Sequence, residues 1–323
     1  MHRRSLHVGL LHVSTLHVGL IAVLLLALAA CNRSAEPVAP PSTTPEGAVR
    51  AGLVLTRNGD FDGLLRSTLP DADYKVWRTE WTQARAKQPA PTAQQRAQFA
   101  QVMQKLTETG AEDKLYKQLQ PRLAELRVHR DRDLPMLIGI LQAAGGNVVA
   151  GAGGLSDAQK HQATAAIDAL ATWARGADFT DPDKTRQALV VICAAARKLD
   201  LKTLDQARAL DYTQSMARYR IAWDGLKALL KIYGLDLDAS FDQAKVETLA
   251  NDGHHARVRE TFLLAGKPIV SEIHLVMQAG HWYDADRLAA WRVSHPAVAA
   301  SIGKPPALPA ASGSAVRPSA AGH

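Results

Sequence analysis

Cysteine, histidine and closely spaced acids are the side chains in this 323-residue chain whose types can do chemistry, and spacing decides what each group could do. Histidines gather towards the C-terminus at His254, His255, His274, His281 and His295. Neutral imidazoles converging from adjacent strands would hold a transition metal. However, His254 and His255 sit beside a turn, and neither His274 nor His281 has a partner at ligand spacing, so they read as solvated turn and edge residues. His7, His12 and His17 recur in a Leu-His-Val triplet every five residues, about 140° apart on a helix, and do not converge. Asp-x-Asp pairs occur at 71/73, 131/133, 181/183, 236/238 and 284/286. Several open apolar-periodic segments, where acids cap a helix and favour its positive end. Asp236-Leu-Asp238-Ala-Ser240 starts like a calcium loop, but Phe241 stands where that loop needs glycine and no glutamate closes it. Cys193 shares an apolar helical face with Leu189, Ile192 and Ala196 and reads as a buried, inert thiol. The spellings G-x-S-x-G, H-E-x-x-H, G-x-x-x-x-G-K-[ST] and C-x-x-C do not occur in the sequence. The expectation is a non-catalytic protein with no metal and no cofactor.

Cys31 is the exception. It ends a thirteen-residue apolar run, Val18 to Ala30, preceded by Arg3 and Arg4 with no acid before Glu36. That length suits a secretory signal core and falls short of the ~20 residues of a spanning helix. Leu28-Ala29-Ala30-Cys31 resembles the lipobox of bacterial lipoproteins. The resemblance implies that the Cys31 thiol is alkylated by diacylglycerol, that residues 1–30 are removed, and that the new N-terminus carries three acyl chains. At ~0.8 kcal/mol per buried methylene, two chains already anchor stably. Asn32 after the cysteine, by the sorting rule of enteric lipoproteins, implies the outer membrane with the body facing the periplasm.

Removal of residues 1–30 takes away two arginines and no acids, leaving 36 Lys/Arg against 31 Asp/Glu. Those charges interleave, as in Arg127, Arg130, Asp131, Arg132 and Asp133. Nucleic-acid binders concentrate basic residues on one face, so no nucleic-acid partner is expected. With Cys193 the sole cysteine besides Cys31, stability must come from a packed core.

The elements between the ends are mostly helical. Residues 31–44, with Pro37, Pro40 and Pro41, read as a proline-rich tether reaching roughly 40 Å at ~3 Å per residue. Residues 45–235 read as a helical domain. Thr44-Pro45-Glu46 and Asp181-Pro182 are helix starts. Thr92 caps a helix carrying Phe99, Val102, Met103 and Leu106, and Ser156 starts another. Asp71 caps a helix whose Tyr74, Trp77 and Trp81 share one face, which is mainly core and otherwise a face for a partner. Thr203 opens one long helix to Tyr233. Leu134 to Gly154, uncharged but rich in glycine, reads as a short buried helix followed by a loop. After Gly234 the period changes to two, and residues 236–294 read as an antiparallel meander of three or four strands with turns at Asn251-Asp252-Gly253 and Ala265-Gly266, closed by a helix from Asp284 to Val293. Residues 295–323, rich in Pro, Ala, Ser and Gly, read as a disordered tail. The fold class expected is α+β, predominantly helical.

Two segments, "TPEGAVRAGLVLTRNGDFDGLLRSTLP" (44–70) and "ARVRETFLLAGKPIVSEIHLVMQAGHWYDADRL" (256–288), resemble the opening helices and closing strands of small lipoproteins with the nuclear-transport-factor-2-like cone fold. That fold serves enzymes and non-catalytic modules alike. The function expected is a lipid-anchored, periplasm-facing envelope protein that binds an envelope-protein or cell-wall partner. The alternatives are an immunity or inhibitor lipoprotein against a wall-degrading toxin, and a cone-fold enzyme or small-ligand binder.

Overall fold

The computed structural model describes residues 43–152 and 157–296. Cys31, the signal segment, the tether up to residue 42, Ser156 and the tail from residue 297 lie outside the described residues. Within them the chain is α+β and mostly helical. Eleven helices are described: α1 Pro45–Arg57, α2 Phe61–Thr68, α3 Asp71–Lys87, α4 Ala93–Thr107, α5 Ala111–Gly151, α6 Asp157–Gly176, α7 Pro182–Leu199, α8 Leu204–Ala209, α9 Tyr212–Ile232, α10 Leu237–Asp242 and, after the sheet, α11 Ala285–Ser294. The sheet is an antiparallel meander in the order β1-β2-β3-β4, with β1 Lys245–Asn251, β2 His255–Leu264, β3 Lys267–Gln278 and β4 His281–Asp284.

Side-chain caps set many of the helix starts. Thr44 Oγ1 accepts from the Gly47 amide with Pro45 in the first turn. Thr92 and Gln95 form a reciprocal capping box, and Asp181 accepts from two amides of α7. Asp71 is not a cap: α3 starts after Pro70 with no side-chain cap, and Asp71 is its first residue. The long helix expected from Thr203 is broken. Thr203 and Gln206 box the start of the six-residue α8, and Asp211 with Gln214 boxes α9 after an extended Leu210. Two boxes eight residues apart demand two starts.

The largest departure is α5, which runs 41 residues through Pro121, Pro135 and the glycines to Gly151. The stretch from Leu134 is therefore helix rather than loop, and it is mostly exposed rather than buried. Packing against α6 overrides glycine's poor propensity: a Cβ on Gly145 would lie 3.2 Å from Ile167, so only a small residue allows that approach.

The hairpins are tight. Ala265-Gly266 and Ala279-Gly280 both have φ positive at each residue, the geometry that matches the twist of paired strands. Cross-strand register places Val246, Glu260 and Ser271 in line, with Thr248, Val258 and Ile273 beside them. On this face Val49 of α1 packs against Val246, Ala256, Val258, Leu275 and Trp282, with Ile273 alongside. At the other end Ala169 of α6 meets Leu235, Leu264 and Ile269, with Phe262 against them. The inner face of the sheet is thus filled by helix side chains, and the apolar clusters run across the 235/236 boundary. A further core unites Phe99, Met103, Cys193, Leu199 and Ala207 from α4, α7 and α8.

Candidate functional site

Tyr74, Trp77 and Trp81 do share one face of α3, and Tyr212 at the start of α9 meets it. Trp77 and Trp81 both approach the Tyr212 ring edge-on, with centroids 5.7 and 5.1 Å away. Tyr74 is buried and Trp77 packs against the cluster of Leu69, Val276, Tyr283 and Leu288. Trp77 and Trp81 are both half-buried, so the face is core at Tyr74 and only partly covered beyond it.

Asp62 of α2 holds this arrangement together. One carboxylate oxygen accepts from the Tyr74 and Tyr212 hydroxyls at 2.5 and 2.7 Å, and the other from Arg66 Nε at 2.9 Å. Burial pushes the carboxyl up, but the two tyrosine hydrogen bonds and Arg66 outweigh it, leaving Asp62 below the ordinary carboxylate range. Burial and the same carboxylate raise both tyrosines far from ionisation. Asp60/Asp62 is a further Asp-x-Asp pair, and like Asp181, Asp236 and Asp284 its first member caps the helix, leaving Asp62 for the tyrosines.

Trp81 lines a shallow groove of about 380 Å³ with Arg78, Thr82 and Arg85 from α3 and Arg208, Leu210, Asp211, Tyr212 and Thr213 from the α8–α9 junction. Arg78 stacks its guanidinium over Tyr212 at 5.0 Å, and Arg85 lies over Trp81 at 5.2 Å. Arg85 also donates to the carbonyls of Ala207 and Arg208, closing the end of α8. Arg208 donates to the Gln88 carbonyl at 3.0 Å. The lone acid of the lining, Asp211, is engaged with the Gln214 amide as a cap. The groove is therefore lined by an indole and three arginines, two of them committed to backbone carbonyls and Arg78 held only by its ring contact. Arg78, Trp81, Thr82 and Arg85 follow the i, i+3, i+4, i+7 rule, a signal the sequence held but that the aromatic stripe overshadowed.

The other chemistry-bearing residues are dispersed. Asp73 is fully buried, accepts from Trp291 Nε1 at 2.9 Å and pairs with Arg292 at 3.2 Å. Asp236 and Asp284 cap α10 and α11, and Asp133 pairs with Arg132 at the surface. His274 lies 3.3 Å from Asp286, His255 is 3.5 Å from Asp252, and His295 stacks on Trp291 and reaches Glu80 at 2.8 Å. No three metal-ligating side chains converge among the described residues. Burial pushes the Cys193 thiol up to about 11, so it is not a ready nucleophile. No known family model, curated protein or solved structure matches the chain.

Proposed function

We propose that this is a lipid-anchored envelope protein that holds an acidic segment of a partner protein in the arginine-lined groove at Trp81. The observation that supports the partner reading is the groove itself, lined by three arginines of which Arg78 makes only a ring contact, while its single acid is already used as a cap. Guanidinium forks suit carboxylates, and the indole supplies apolar area beside them. The anchor rests on Leu28-Ala29-Ala30-Cys31 and the apolar run before it. Acylation at Cys31 would hold the body at a membrane while the groove faces the periplasm, with outer-membrane placement resting on Asn32.

Two measurements test the two halves. Cells fed labelled palmitate should label the wild-type chain and not Cys31→Ser; equal labelling of both, or of neither, removes the anchor. A photo-crosslinking residue at exposed Thr82 should capture an envelope protein in living cells. Capture should be lost in Arg78→Glu, because Arg78 makes a ring contact but no hydrogen bond or ion pair. Capture that survives the charge reversal, or no capture at native abundance, rejects the groove as the binding site.

A further inference from the structure

We propose that the second half of α5 carries a membrane-contacting stripe that lies in the boundary between headgroups and acyl chains. The choice of a bilayer as its occupant rests on the anchored reading above. Met136, Leu137, Ile140, Leu141 and Val148 are 63, 50, 59, 58 and 74 % exposed. At 100° per residue they fall, with Ala144, within about 140° of the helix circumference. No charged residue occurs between Asp133 and Asp157. The most apolar 18-residue window of α5 is only 6 % buried, so this is not a core helix. Exposed Asn147 falls inside the same arc, so the apolar face runs unbroken from Met136 to Ala144 and resumes at Val148. A clustered apolar face of this kind marks a protein or lipid contact rather than ordinary scattered surface hydrophobes.

The stripe does not span. Its far side, which buries Ile138, is held by α6 through the Gly145 approach to Ile167 and a polar chain in which Gln142 donates to Asp168 at 2.6 Å and accepts from Arg175 at 3.0 Å. Crossing the bilayer would carry Asp168 and Arg175 into hydrocarbon with it. Lying flat keeps that polar chain in water while the opposite face dips into lipid.

A second copy fits less well. The exposed strip from residue 134 to 151 is about 27 Å long and about 10 Å wide, roughly 300 Å² in plan. Even with side-chain relief that falls short of the ~800 Å² per partner of a stable interface. For lipid no such minimum applies, since acylated Cys31 would already hold the chain at the surface and supply the first of two anchoring signals. Between residues 122 and 133 four arginines face three acids. The attraction is therefore apolar, and contact should not depend on anionic lipid.

The test uses the full chain with Ile140→Cys carrying an environment-sensitive fluorophore, the unsubstituted chain being the labelling blank. Vesicles are phosphatidylethanolamine with or without phosphatidylglycerol, some lipids bearing a nitroxide midway along an acyl chain. The expected result is a blue shift and at least about two-fold quenching in both compositions. The same label at exposed Thr164 on α6 should stay bright. Adding Leu141→Glu should abolish quenching with an unchanged thermal midpoint, because both positions are exposed. A chain that floats with vesicles yet is unquenched at 140 keeps the anchor and overturns the stripe. A blue shift without vesicles that grows with protein concentration assigns the face to a second copy and also overturns it. A chain that does not float at all removes both readings.

Discussion

A single carboxylate decides how α2, α3 and α9 meet. Asp62 takes two tyrosine hydroxyls and an arginine, and losing its charge leaves buried hydroxyls sharing a poorer acceptor. Asp62→Asn should cost about 2 kcal/mol near neutral pH, measured by urea unfolding. Because the folded-state carboxyl lies below its ordinary value, this stabilisation is present above the unfolded pKa and is lost as pH falls through the folded one. The variant and the wild type should therefore converge in acid; a pH-independent gap would mean that Asp62 acts by shape alone. Glu260 runs the other way. Burial, partly offset by Ser271 and Arg287, raises its carboxyl, so the native state holds its proton more tightly than the unfolded chain. Stability then falls as pH rises from the ordinary glutamate value through the raised one. Glu260→Gln should remove that fall and add roughly 1 kcal/mol at pH 7. A variant less stable than wild type at pH 7 would show that the charged form is paired after all.

Among the elements, those with a local signal were legible and those decided by a neighbour were not. Thr92, Thr203 and Asp181 each announce a helix because a short oxygen-bearing side chain reaches an orphan amide three residues on. Ala265-Gly266 announces a hairpin because few residue pairs tolerate two positive φ values in succession. Asp211 carries the same signal inside what looked like one periodic run, and the chain obeys it. Asp211→Ala should cost about 1 kcal/mol and loosen Tyr212, the residue on which Trp77 and Trp81 rest. Loss of near-ultraviolet aromatic dichroism alongside the loss of stability would register both; a purely energetic effect would place the tyrosine under the control of Asp62 instead. The second half of α5 was illegible for the opposite reason. Pro135 and the glycines there argue against helix locally, while the partner that favours it, Ile167 of α6, lies over twenty residues away. The groove is half-legible: helical spacing marks Trp81, but Arg208 comes from a distant junction that no spacing rule connects to α3.

At the scale of the whole molecule, the start of α1 is tied to the sheet and α3 is tied to α11, the last described helix. Trp282 donates to the Thr43 carbonyl, Thr248 donates its amide to Glu46, and Asp73 of α3 binds both Trp291 and Arg292 of α11. Residues 43–87 and 245–296 thus form one packed unit around the meander, with the remaining helices entering between them in sequence. Such an arrangement makes the closing contact a long-range one, and the Asp73–Arg292 pair is its most buried electrostatic link. Taking two charges out of water is expensive, so the intact pair contributes little net stability against an apolar replacement, while a broken one is costly. Asp73→Ala alone should destabilise by about 3 kcal/mol, since the Arg292 guanidinium is left with the Gln278 side chain as its remaining partner. Arg292→Met alone should cost about as much. The double variant should recover part of that loss, giving a coupling energy of about 1–3 kcal/mol in a denaturation cycle. Additive losses would mean that each side chain acts through its own packing, and that the ends of the chain are joined by apolar contact alone.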